Sequence, residues 1–317
     1  MYDAVALGEI LIDFTPQAAE HGIPMYAQNP GGAPLNLLAQ MALLGKRVSF
    51  FGKVGADGFG SFLRGVMDAR GIDTSSLSVS HSAHTTLAFV HLDSSGERTF
   101  TFYRQPGADI MLEPGDIDTE KLCNTKLFHI GSLSMTDEPA RSATLFALET
   151  ARRAGCMISY DPNYRQPLWT DQTQAVRTMK GLLPYADILK VSGEEMILLT
   201  GTDDLEKGSA LLMDAGPALV FVTLGAGGAF YRCPGGCGAV PGYHAAVVDT
   251  NGAGDSFFGA ALSRLGDHTR QTLPAIPPED IAEIVRFANA AGCLTATRYG
   301  ALTALPTAED LYRFMDQ

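Results

Sequence analysis

Apolar residues fall in short blocks that alternate between two periods. Residues 4–13 are apolar apart from Gly8, Glu9 and Asp13 and read as one buried strand. Polar sequence bearing Gly and Pro carries the chain to Gly32. Residues 35–44 then read as a helix closed by Gly45, a residue suited to the left-handed turn after a helix. A strand at 48–52 and a helix at 59–70, stopped at Gly71, complete a unit that recurs downstream. Strands are predicted at 127–131, 157–161, 188–191, 219–224, 229–232 and 245–248. Helices are predicted at 138–154, 170–183, 193–200, 256–265 and 281–297. Such βα alternation predicts a three-layer α/β body, a mainly parallel sheet between two layers of helices.

One segment breaks this rhythm. Residues 85–93 and 98–104 are two β-rich runs joined by Ser94-Ser95-Gly96-Glu97, a hairpin signal. Two strands alone are marginal, so partner strands are expected from about residues 10–30. The result would be a small sheet, formed by about 12–30 and 84–106, acting as a lid on one domain of residues 1–317. No internal repeat, low-complexity tract or long linker interrupts the chain.

Charge and composition then narrow the function. The formal charge of −12 disfavours a nucleic-acid partner. No apolar run approaches the roughly 20 residues needed to span a bilayer. The N-terminal block carries Glu9 and Asp13 and reads as a strand, not a leader. Five scattered cysteines fit a reducing cytoplasm. Cys233 and Cys237 flank Pro234-Gly235-Gly236, which reads as a hairpin turn; a metal site or disulfide, with His244 nearby, is the alternative.

Chemistry concentrates in 247–260, where a strand runs through Gly252-Ala253-Gly254 directly into a helix. Bare glycine backbone and a helix N-terminus would gather amides around an anion. Asp255 falls in the first turn. The helix dipole should keep it ionised, ready to take the proton of an attacking hydroxyl during phosphoryl transfer. No Walker-type or G-x-G-x-x-G loop is present.

Residues 249–255 resemble the D-T-x-G-A-G-D signature of the ribokinase/phosphofructokinase-B family of sugar kinases. Gly31-Gly32-Ala33-Pro34-Leu35-Asn36 resembles its N-terminal signature. The likeness spans essentially the whole chain, through Gly8-Glu9 with Asp13, Asp161-Pro162-Asn163 with Arg165, and 297–301. It implies that Asp255 is the base and that Gly252, Ala253 and Gly254 form the anion hole. On the sugar side it implies Asp13, Gly31, Gly32 and Asn36, with Tyr103 and Arg104 reaching from the lid and Asn163 and Arg165 facing the moving phosphate. On the ATP side it implies Thr223, Gly225, Gly227, Gly228 and Asn289, with Ser192; Lys190 either reaches the nucleotide phosphates or merely ends its strand.

Ser192 departs from the family's N-x-x-E motif, which organises Mg²⁺ through water; Glu195 keeps the carboxylate, so Mg²⁺ is still expected with ATP. Some relatives also bind a monovalent cation such as K⁺ near the residue matching Asp249. Within the family, 8–14, 102–104, 131–134 and 161–169 are most similar to the bacterial fructokinase branch. A 2-keto-3-deoxygluconate kinase is the alternative, because Arg104 would suit a sugar-acid carboxylate. A catalytically silent sugar-binding protein is the alternative from another class. A homodimer formed through the lid is expected, since a small sheet has edges to cover.

Overall fold

In the computed structural model, residues 1–92 and 98–316 are described. The chain enters through β1 (Tyr2–Leu7), leaves the body for β2 (Leu11–Glu20) and β3 (Ile23–Gly31), and returns in α1 (Ala33–Leu43). β4 (Val48–Gly55), α2 (Gly58–Ala69), β5 (Ile72–Asp73) and β6 (Leu77–Ser80) follow. β7 (Thr86–Leu92) and β8 (Arg98–Tyr103) leave the body again. Regular alternation resumes with α3 (Thr119–Cys123), β9 (Thr125–Ile130), α4 (Ala140–Ala154), β10 (Met157–Tyr160), α5 (Gln172–Leu182), β11 (Ile188–Ser192), α6 (Gly193–Thr200) and α7 (Leu205–Asp214). The chain closes with β12 (Leu219–Thr223), β13 (Ala229–Cys233), β14 (Gly236–Val240), α8 (Ala253–Leu265), α9 (Pro278–Ala296) and α10 (Ala308–Met315).

The central sheet runs β14-β13-β12-β11-β10-β9-β1-β4-β5, with β6 also paired to β4. It is parallel except for the β12–β13 and β13–β14 pairs. Alternate residues of each strand feed two cores: Ala4, Ala6, Phe50 and Phe221 pack under α1, α8 and α9, while Val5, Leu7, Phe51 and Val220 pack under α4, α5 and α6. This is the period of two expected for strands buried on both faces.

The strand predicted across 4–13 is two strands in two sheets. At 8–10 the chain crosses from β1 to β2, and the apolar pattern continues because both ends stay buried. The small sheet runs β3-β2-β7-β8. Its predicted turn at 94–97 lies outside the described residues. The strand predicted at 245–248 is irregular. Val247 and Val248 are 63% and 41% exposed, and the Val248 and Asp249 amides donate to the Ala296 carbonyl, not to a sheet neighbour. Cys233 and Cys237 sit in the β13–β14 hairpin, in the cores on opposite faces of the sheet, which keeps the two thiols apart. No helix among the described residues is long and apolar enough to cross a membrane.

Candidate active site

α8 begins three residues earlier than predicted. Gly252 is its N-cap with φ 73, so Ala253, Gly254 and Asp255 form its first turn. The left-handed backbone requires glycine at 252, and a Cβ there would also meet the Ala301 Cβ at 2.8 Å. The Ala253 amide donates to the Thr250 carbonyl at 3.3 Å, the Gly254 and Asp255 amides have no partner within the helix, and the whole turn lines a cleft of about 1360 Å³.

Asp255 is half-buried at that cleft, and its Oδ2 accepts a 2.8 Å hydrogen bond from Asn36 Nδ2. Burial pushes its carboxyl up to about 6, reinforced by Asp161 and opposed by Lys190, Asn36 and Arg165. The helix dipole is therefore not the dominant influence, contrary to expectation, although at pH 7 the group is still mostly ionised. Beneath the turn, Lys190 Nζ pairs with Asp161 Oδ2 at 2.8 Å, with both side chains almost wholly buried. A Cβ on Gly254 would lie 3.2 Å from that ammonium. Bare backbone thus lets the cation sit against the turn.

Asp13, on β2, approaches the same point from the small sheet. Burial and the Asp255 charge push its carboxyl up to about 7, while Arg165 pulls the other way. Gly31 is required beside it, because a Cβ there would collide with the Asp13 carboxylate. Gly32, with φ 120, lies against the Glu9 carbonyl. In place of a side-chain cap on Gly32, the Glu9 Oε1 accepts the Ala33 amide at 3.0 Å. Asn36 Oδ1 is buried without a hydrogen-bond partner among the described residues.

Two expected lid contacts take other positions. Register pairs Tyr103 with Leu87 and Leu87 with Ile12, so Tyr103 lies on the face of the small sheet opposite Asp13, packed edge-on to Phe89 at 5.6 Å. Ala88 and Phe102 share Asp13's face, and Phe100, two residues along, lines the cleft. Arg104 does not project either. It donates to Asp109 Oδ2 (2.7 Å), Thr136 Oγ1 (2.9 Å) and the Leu133 carbonyl (3.0 Å), locked by desolvated partners at the base of the sheet.

Asn163 adopts φ 44, with its amide on Asp161 Oδ1, and Arg165 is exposed along the cleft. Ser192 caps α6. Glu195 lines the cleft and braces two backbone segments, its Oε1 accepting the Tyr164 amide (2.7 Å) and its Oε2 the Ser192 amide (2.8 Å), with acceptor capacity left on both oxygens. Among the described residues no three His, Cys, Asp or Glu side chains group as a metal cage.

At the far end of the cleft, Thr223 ends β12 and the chain turns tightly through Gly225 (φ 58), Gly227 and Gly228 (φ 90). A Cβ on Gly228 would strike the Val240 carbonyl and the Gly242 amide. Asn289 of α9 donates to the Val240 and Pro241 carbonyls at 3.1 and 3.2 Å, holding that loop against the cleft. Asp249 accepts the Asn251 and Gly300 amides, tying the turn to the C-terminal loop. Two further residues shape the site beyond those the motifs point to: Asp161, paired with Lys190, and Asn29, which lies directly opposite Asp13 and donates to its carbonyl at 3.4 Å. Both depend on long-range pairing that local sequence does not encode.

Comparison with known proteins agrees with this architecture. A family model described as pfkB family carbohydrate kinase matches residues 1–308. Fructokinase-2 of Solanum habrochaites is 41% identical over 310 residues, covering 96% of this chain and 94% of its own. The crystal structure of a Xylella fastidiosa fructokinase with bound ATP superposes with a TM-score of 0.92 at 33% identity, covering 100% and 99% of the two chains. A double mutant of Vibrio cholerae fructokinase, bound to fructose, ADP and potassium ion, gives 0.87 at 34% identity over 98% and 97%.

Proposed function

Because the chain belongs to the pfkB family of carbohydrate kinases, we propose that it transfers the γ-phosphoryl group of ATP to D-fructose, giving fructose 6-phosphate. The observation that carries this reading is Asp255, held by Asn36 at the mouth of a glycine turn that lines the cleft. Asp255 accepts the proton of the sugar hydroxyl as it attacks. The amides of Gly252, Ala253 and Gly254 receive the oxygens of the migrating group, with Lys190 close behind them. Arg165 balances the approaching negative charge from the open side.

On the acceptor side, Asp13 and the free Asn36 oxygen offer hydrogen bonds to sugar hydroxyls, and the small sheet serves as the lid that excludes water. ATP occupies the end of the cleft near Thr223, Gly225, Gly228 and Asn289. Mg²⁺ carried by ATP neutralises phosphate charge. By analogy with the potassium-bound relative, a monovalent cation near Asp249 fits the loop carbonyls there. Five free thiols fit a cytoplasmic setting.

The Arg104–Asp109 pair bears on which sugar is taken. A guanidinium already committed to a buried carboxylate offers a sugar acid no bidentate partner. In a panel of sugars against Mg·ATP, kcat/KM for fructose should exceed that for 2-keto-3-deoxygluconate by about 10²-fold or more. Equal or better turnover of the acid would overturn the fructose reading, and sugar binding without any turnover would favour a silent binding protein.

The lid's outer face also supports the homodimer. Phe14, Tyr26, Phe89 and Tyr103 form a continuous aromatic cluster there, with Tyr26 41% and Tyr103 63% exposed. Light scattering should report twice the 33.7 kDa chain mass, reduced to a monomer by Tyr103→Asp. A monomeric parent protein would refute the dimer.

A further inference from the structure

Asn36 and Gln40 lie one turn apart on the face of α1 that meets α8. While Asn36 donates to Asp255, the Gln40 Oε1 accepts the hydroxyl of the next residue, Ser256, at 2.9 Å. Gln40 Nε2 in turn donates to the Pro306 carbonyl at 3.0 Å. From the other side, the Thr295 hydroxyl of α9 lies 2.9 Å from Ser256 Oγ and 2.9 Å from the Ala291 carbonyl, its one proton shared between the two acceptors. One residue on, the Ala296 carbonyl holds the Val248 and Asp249 amides that lead into the anion turn. Gln40, Ser256 and Thr295 are all fully buried. The helices come close enough for these bonds because residue 259 is glycine: a Cβ there would lie 2.6 Å from the Leu37 carbonyl and 3.0 Å from the Gln40 Cβ.

We propose that Gln40, Ser256 and Thr295 form a positioning chain that locks α8 between α1 and α9 and so aims Asp255 at the sugar hydroxyl. The inference rests on Asp255 being the base. Apolar packing alone tolerates small rotations of a helix about its axis, whereas a buried amide–hydroxyl chain is satisfied in one orientation only. The required tolerance is tight, since a misplacement of about 1 Å can cost about 10²-fold in rate. Because α1 also carries Asn36 and follows Gly31 and Gly32, the same chain ties the base to the element that would hold the sugar.

The test uses Gln40→Met, Ser256→Ala and the double variant in the full chain. Each single variant strands a buried polar partner and should lose stability; the double variant removes the mismatch between residues 40 and 256 and should melt above the less stable single. Its kcat should nevertheless stay about 10- to 100-fold below the parent, with KM for sugar and ATP within about twofold. The acid limb of its kcat/KM profile should move upward, because the Asn36 bond that favours the charged base is loosened while Asp13, Asp161, Arg165 and Lys190 still face it. Parental kcat in the double variant, or a kcat loss that merely tracks the folded fraction, overturns the positioning role. Near-parental kcat in Asp255→Asn overturns the base assignment, and the chain's purpose with it.

Discussion

Replacing Asp255 by asparagine is expected to lower kcat by roughly 10²–10⁴, the span of general-base catalysis, while the fold and ATP affinity remain near those of the parent. Asparagine has the same size and can still accept from Asn36 Nδ2, so the local geometry has no reason to change. What disappears is the ability to take a proton. The same residue sets a pH dependence in the parent. Burial raises its pKa to about 6, so the base form is lost as pH falls through that value. A coupled ADP assay from pH 5 to 8 should show kcat/KM falling in two stages, first through about 7 as Asp13 takes up a proton, then through about 6 as the base is lost; ordinary carboxylates would hold activity to about 4. Near-parental turnover by Asp255→Asn would show that another group accepts the proton.

Lys190→Met is expected to act on stability and chemistry together. Its partner Asp161 is buried, and breaking such a pair from one side leaves an uncompensated charge costing about 3–5 kcal/mol. Lys190 also holds down the Asp255 pKa, so the surviving enzyme should need a higher pH for half-maximal kcat/KM. Adding Asp161→Leu should restore part of the stability in a urea melt, because the stranded Asp161 carboxylate is removed. Activity should not return, since no cation then sits behind Gly254. Recovery of both would mean that Lys190 serves the fold alone.

The parts of the molecule that could be read from the chain are those decided within a few residues. Gly252-Ala253-Gly254-Asp255 opens a helix because glycine permits the turn and the following residues favour the helix, and none of that needs a distant partner. The strand and helix alternation was legible for the same reason. What escaped depends on register and pairing. Tyr103 and Arg104 are adjacent, yet one turns to the outer face and the other is captured by Asp109; only the pairing of β7 with β2 and β8 decides which. Glu195 reads as a metal carboxylate by motif; that it also accepts the Tyr164 amide from a separate loop is decided by long-range packing. Val247 and Val248 have strand propensity and no strand to join, so propensity yields to the carbonyl of Ala296.

The attachment of the small sheet limits how it can move. Leu11, Gly31 and Thr86 are aligned across its strands, and Arg104 follows Tyr103 at the same end, so all four junctions with the body fall in one row. A panel tethered at four collinear points behaves as a door and not as a ball joint: it has one rotational freedom and almost no sideways travel. Glu9 and Asp109 brace that axis. A swing about that row would carry Asp13 along a single arc relative to Asp255 and not sideways across the cleft.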